Sequence, residues 1–107
     1  MYNEIIYLVS KKSVTNEVGD RVEVEERKIR FAQLKSIGQS EFYQAQAQGL
    51  KPELKFVVSD YLDYDNEQEI IHNGFRYKVL RTYRAANELE IVVYGGVRQE
   101  VAQDGIT

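Results

Sequence analysis

Cysteine and tryptophan are missing from this chain of 107 residues, and proline and histidine occur once each, as Pro52 and His72. Without thiols there are no disulfides and no thiolate metal sites, which suits folding in a reducing cytosol. With one histidine and no cysteine, and with nothing in the sequence pairing His72 to a particular Ser and Asp, nucleophilic catalysis lacks parts. Long apolar runs are absent as well. The longest early one, residues 5–9, is far too short to span a bilayer and has no basic lead-in. The expectation is therefore a soluble chain with no targeting segment and no membrane partner. There is no phosphate-cradling glycine loop, since Gly95-Gly96 is not followed by a helical pattern. The formal net charge of −3 is not that of a polyanion binder. No internal repeat and no low-complexity tract interrupts the chain.

What is present reads as strand. The chain length suits one domain, and its eight tyrosines favour strands and half-wet surfaces. A first strand is expected over residues 4–10 and a polar loop with a Val-Gly-Asp turn over residues 11–20. Val22 and Val24 alternate with charged neighbours in a second strand. Ile29 and Phe31 share a face with which Leu34 and Ile37 fall out of phase, so a bulge near Ala32 and Gln33 is expected to restore register. Leu54, Phe56 and Val58 mark a further strand. Asn73-Gly74 between two strand-like runs is a strong type I′ hairpin signal, because both turn residues need positive φ. Beyond it, Phe75, Tyr77 and Val79 are expected on one face, with Arg76, Lys78 and Thr82 on the other. The chain turns again over residues 85–87, and Leu89, Ile91 and Val93 form a last strand.

One segment breaks the alternation. In residues 40–50, Ser40 is a candidate cap for a short helix, Gly49 its terminator, and Pro52 the block to resumption. A helix of two or three turns is marginal alone, so residues 38–52 read as a short helix or a mobile excursion that something else must order. The fold expected is mostly β: a small barrel of about six strands, residues 1–97, with this element inserted between strands and a polar tail over residues 98–107.

Three clusters invite chemistry. Asp60, Asp63, Asp65, Glu67 and Glu69 crowd one loop, but counting an EF-hand from Asp63 puts Gln68 where glycine is required and Gly74 where the closing glutamate belongs. The loop reads as a solvated connection, and no metal or other cofactor is expected. Arg76, Lys78, Arg81 and Arg84 interleave with Tyr77 and Tyr83, a pattern a single-stranded nucleic-acid groove would use. On an alternating strand, however, Arg76 and Lys78 point away from Tyr77, and the overall charge is acidic. A small hydrolase using carboxylates such as Asp63 and Asp65 is a third reading with no motif behind it.

The run LKSIGQSEFYQAQAQGLKPE, residues 34–53, resembles the central signature of phage head-closure proteins, also called head–tail adaptors or head-completion proteins, of long-tailed phages and prophages. DYLDYD at 60–65, RYKVLRTYR at 76–84 and NELEI at 87–91 resemble the same family, so the likeness runs from the first strand to Tyr94. The resemblance implies a small β-barrel and a non-enzymatic structural role at the virion head–tail joint, the chain being made in the host bacterial cytoplasm. It implies a homo-oligomeric ring, commonly twelve-fold, below the portal-bound adaptor. Such a ring closes the DNA exit channel after packaging and offers the attachment surface for a tail or tail-completion protein, while the encapsidated double-stranded DNA passes through it. An isolated chain need not form the ring. In this family an extended loop projects into the channel. Carried over, that role falls on Gly38, Ser40, Glu41, Phe42, Tyr43, Gln44, Gln46, Gln48, Gly49 and Leu50. Arg76, Lys78, Arg81 and Arg84 stand as the partner surface. The alternative is a β-barrel module that binds single-stranded nucleic acid.

Overall fold

The computed structural model describes residues 2–99, and within them alternation builds six strands. These are β1 (Glu4–Thr15), β2 (Arg21–Lys35), β3 (Pro52–Val58), β4 (Glu69–His72), β5 (Phe75–Ala85) and β6 (Glu88–Arg98). One helix, α1 (Gln39–Gln46), lies between β2 and β3, and a single 3-10 turn (Tyr61–Asp63) lies between β3 and β4. Every ladder is antiparallel, and the sheet closes on itself in the order β1-β2-β3-β6-β5-β4. The expected mostly-β barrel with one short inserted helix is the fold observed.

Side chains two apart fill the interior: Ile6 and Leu8, Phe56 and Val58, then Leu89, Ile91 and Val93. Phe56 is the largest of the fully buried side chains, and its truncation to Ala would cost about 3–5 kcal/mol. His72 is buried too, edge-on to Phe56 with ring centroids 4.9 Å apart, and its Nε2 lies 2.8 Å from Glu4 Oε1. At the Asn73-Gly74 turn both residues have positive φ, 51° and 81°, as a type I′ hairpin requires.

Several boundaries differ from expectation. Residues 11–15 are strand, not loop, and only residues 16–20 turn. There Asn16 Oδ1 accepts from the backbone N–H of Val18 and of Asp20, and Gly19 takes φ +89°. The two segments expected around Val22 and Ile29 are one strand, β2. Its pairing runs unbroken from Glu4↔Ala32 to Thr15↔Arg21, and on into β3 from Ala32↔Val58 to Lys35↔Lys55, so there is no bulge at Ala32 and Gln33.

The irregularities sit elsewhere. On β5, register slips between Val79 and Arg81, which moves Thr82 onto the phase opposite core residue Ile91 rather than the phase of Arg76 and Lys78. On β6, Gly95 and Gly96 together face Tyr77, a G1-type bulge with Gly95 at φ +68°. The last strand therefore runs through both glycines to Arg98, and of the expected tail, residues 100–107 lie outside the described residues.

The inward phase of β2 is not its apolar one. Ile29 and Phe31 point outward, 50% and 60% exposed, while the inward phase carries Lys28, Arg30 and buried Ala32. The loop between β3 and β4 explains how two cations sit on that phase. Its Glu67 pairs with Lys28 at 3.0 Å, and its Asp63 approaches Arg30 at 3.3 Å, an ion pair without hydrogen-bond alignment. The acidic loop thus strings its carboxylates to β2.

The barrel is short and the first hairpin is long. β1 meets β4 only over residues 7–9 and β2 meets β3 only over residues 32–35. Beyond the Ser10↔Glu26 pair, β1 and β2 have only each other as ladder partners and run out of the barrel as a two-stranded ribbon. The molecule measures 50 × 29 × 28 Å with a Cα radius of gyration of 15.6 Å, against about 13 Å for a compact chain of this length.

Candidate assembly surfaces

The excursion over residues 38–52 is an ordered helix seated on the outer wall. Its start is not the expected Ser40 cap. Gly38 holds the N-cap position with no side-chain bond, and Ser40 is exposed inside the first turn. Its end follows expectation. Gly49, at φ +79°, lets its own N–H reach the Gln46 carbonyl and the Leu50 N–H reach that of Ala45, the pair of bonds that closes a Schellman motif.

What seats the helix is Glu41. Its carboxylate lies 3.3 Å from Lys55 Nζ on β3 and accepts from Arg81 on β5, with Nε at 3.0 Å and Nη2 at 2.9 Å. Lys55 and Arg81 both pair with Val92 of β6, so one carboxylate spans three adjacent strands across buried Val92. Ala45 is buried, and Gln44 and Gln48 line a shallow cleft of about 250 Å³ with Leu80 and Arg81. Phe42 and Leu50 are half-buried. Tyr43 is 60% exposed, its ring edge-on to Phe42 at 6.2 Å, and Gln46 faces solvent.

The four basic residues do not form one surface. Arg76 is held by Glu69 (2.6 Å), by Glu25 (3.1 Å) and by Gln99 Oε1 (3.0 Å). The Arg76 hydrogen bond, reinforced by Arg27 and opposed by partial burial, keeps the Glu25 carboxyl below its ordinary range. Arg81 belongs to the Glu41 clamp. Arg84, shifted by the bulge, stacks over Tyr61 at 3.6 Å and donates from Nε to the Ala86 carbonyl. Lys78 is exposed. The geometry joins Arg81 with the helix and separates it from Arg76 and Arg84.

Glu67, buried in the acidic loop, is the other perturbed carboxylate. Burial pushes it up most strongly, but the Asp65 N–H and the Lys28 ammonium together outweigh burial and hold it low. These contacts tie the loop to β2. Among the described residues, no group of three or more His, Asp and Glu side chains is placed to hold a metal ion.

Two apolar surfaces escaped the sequence reading. On the outer wall, Ile5 pairs with Phe31 and Tyr7 with Ile29, and all four side chains are at least 37% exposed. On the ribbon, Val14 pairs with Val22 and the next pair on that phase is Lys12 with Val24. The other phase carries Lys11, Ser13, Glu23 and Glu25. A symmetric reading of Lys12-Ser13-Val14 and Val22-Glu23-Val24 about the Asn16–Asp20 turn would have exposed the ribbon.

Compared with protein-family models and with curated proteins, the chain has no match in either.

Proposed function

We propose that this chain is a structural assembly module of a phage head–tail joint. In this reading it oligomerises as a ring below the portal-bound adaptor, closes the DNA exit channel after packaging, and presents the surface on which the tail docks. The carrying observation is where apolar and charged side chains fall. Ile5, Tyr7, Ile29, Phe31 and Tyr43 are exposed on a closed barrel, while the carboxylates and guanidinium groups that chemistry would need are spent on holding strands and α1 together. Contiguous exposed apolar side chains mark protein contacts. The helix inserted between β2 and β3 occupies the run whose likeness to head-closure proteins is most specific, which adds support from the sequence. The single-stranded nucleic-acid reading has less behind it, because Arg76 and Arg81 face carboxylates.

The test is electron microscopy of a lysate from a phage or prophage lacking this gene. Separate tails beside emptied heads support the proposal. Normally joined virions overturn it.

A further inference from the structure

An isolated two-stranded ribbon is marginally stable in water and leaves its outer edges unpaired. Here the ribbon is ordered in one continuous register from the barrel wall to its turn, and one of its phases carries Val14, Val22 and Val24, with Val18 79% exposed at the tip. The opposite phase is polar and needs no cover. The wall patch of Ile5, Tyr7, Ile29 and Phe31 is likewise uncovered. The two cannot cover each other within one chain. Nine residue levels of the same unbroken ladder separate Ile5↔Phe31 from Val14↔Val22, a span of roughly 30 Å at the rise of an antiparallel strand.

We propose that the occupant of each patch is the other patch of a second copy of this chain: the valine face of one ribbon lies on the Ile5–Tyr7–Ile29–Phe31 wall of its neighbour. This deepens the ring reading above and rests on it. A donor patch and a separate acceptor patch on every chain define a head-to-tail contact, the kind that closes rings, whereas a single self-complementary patch makes only pairs. Charge is complementary in the same arrangement. Beyond the valines the turn carries Glu17 and Asp20, and beyond Phe31 the outward phase of β2 carries Lys35. The ribbon turn of one copy thereby lies toward the lysine of the next.

The absence of cysteine makes the test direct. Singly substituted Val22→Cys and Ile29→Cys chains are mixed at millimolar concentration and oxidised gently. The mixture is expected to form a reducible Val22–Ile29 cross-linked dimer at least tenfold faster than Val22→Cys mixed with Lys78→Cys, a cysteine off both patches. A chain carrying both Val22→Cys and Ile29→Cys is expected to give a ladder of multimers, and adding Phe31→Lys to it is expected to remove the ladder while leaving the circular dichroism spectrum unchanged. Cross-linking no faster than the Lys78 control overturns the contact. So does a dominant Val22–Val22 dimer, which would make it two-fold. The experiment reads purified chains alone, so its failure leaves the lysate microscopy to judge the virion role separately. Joined virions without the gene would remove that role even where the ladder forms.

Discussion

Gly96→Ala tests a glycine whose backbone packs against a core side chain. A Cβ built on Gly96 falls 2.5 Å from Tyr77 Cε1, 2.9 Å from Tyr77 Cδ1 and 3.0 Å from Glu53 Oε1. Glu53 is an exposed side chain and swings away at little cost. Tyr77 is 9% exposed and belongs to the core, and the bulge at Gly95 fixes the backbone that brings it so close. Overpacking of this kind costs about 1–3 kcal/mol, and replacing a glycine returns about 0.4–1 kcal/mol through the unfolded chain. The net expectation is a loss of about 1–2 kcal/mol, or roughly 5–15 °C in Tm. Urea titration should show a lower midpoint with an unchanged slope. Gly38→Ala is the matched control: its Cβ meets nothing within 4 Å and its φ is −67°, so stability should stay within about 0.5 kcal/mol of the parent. Adding Tyr77→Leu to Gly96→Ala should cost clearly less than the two changes summed, because the clash has then lost its partner. A Gly96→Ala midpoint equal to that of Gly38→Ala would refute the argument.

The remaining predictions concern the clamp, the carboxylates and the helix. Glu41→Ala removes the group that spans β3, β6 and β5 and leaves Lys55 with Glu90 alone. Amide exchange over residues 42–47 should accelerate at least tenfold, with a global loss of about 1–2 kcal/mol by urea titration. Glu25 and Glu67 have folded-state pKa values below the ordinary 4.5. Their contribution to stability is therefore complete above that value and is lost as pH falls through the depressed ones. Urea midpoints followed from neutrality to about pH 3 should decline below about pH 4.5, and Glu67→Gln should make that decline shallower. Replacing Phe42 and Tyr43 together with Ala should leave a folded barrel, since neither is fully buried, yet lower the yield of joined virions in a complementation assay. Normal yield would remove α1 from the assembly surface.

The parts of this fold that were legible in the sequence are those with a buried face. Phe56 and Val58, or Leu89, Ile91 and Val93, alternate because one side meets the core, and Asn73-Gly74 announces its hairpin through positive φ. The β1 arm of the ribbon was read as a loop because it buries neither face, so Lys11, Lys12 and Ser13 carry no hydrophobic alternation, while its β2 arm was legible through Val22 and Val24. The inward phase of β2 was not legible, because its exposed side holds Ile29 and Phe31 and its inward side holds Lys28 and Arg30, whose charges are met by a loop more than thirty residues away in sequence. The grouping of Arg76, Lys78, Arg81 and Arg84 assumed a regular strand, and the bulge between Val79 and Arg81 sends Arg84 to a different neighbour. Gly49 was readable as a stop, while the start at Gly38 had no capping side chain to announce it. Nothing in the sequence alone places Glu41 between Lys55 and Arg81, because that clamp exists only once β3, β6 and β5 lie side by side.

The closure between β1 and β4 consists of three residue pairs, Tyr7↔Ile71, Leu8↔Ile70 and Val9↔Glu69, and joins positions more than half the chain apart. The other two ladders at β1 and β4 are hairpins, which form locally and quickly. Folding therefore has a natural order: the β1–β2 and β4–β5–β6 units assemble first, and the short seam zips last, after the slowest loop closure. The same seam is the shortest ladder of the cylinder. A pull applied along the ribbon reaches the barrel through β1 and β2 and acts on the three β1–β4 pairs and the four β2–β3 pairs, whereas a pull through β5 and β6 is shared along a far longer ladder.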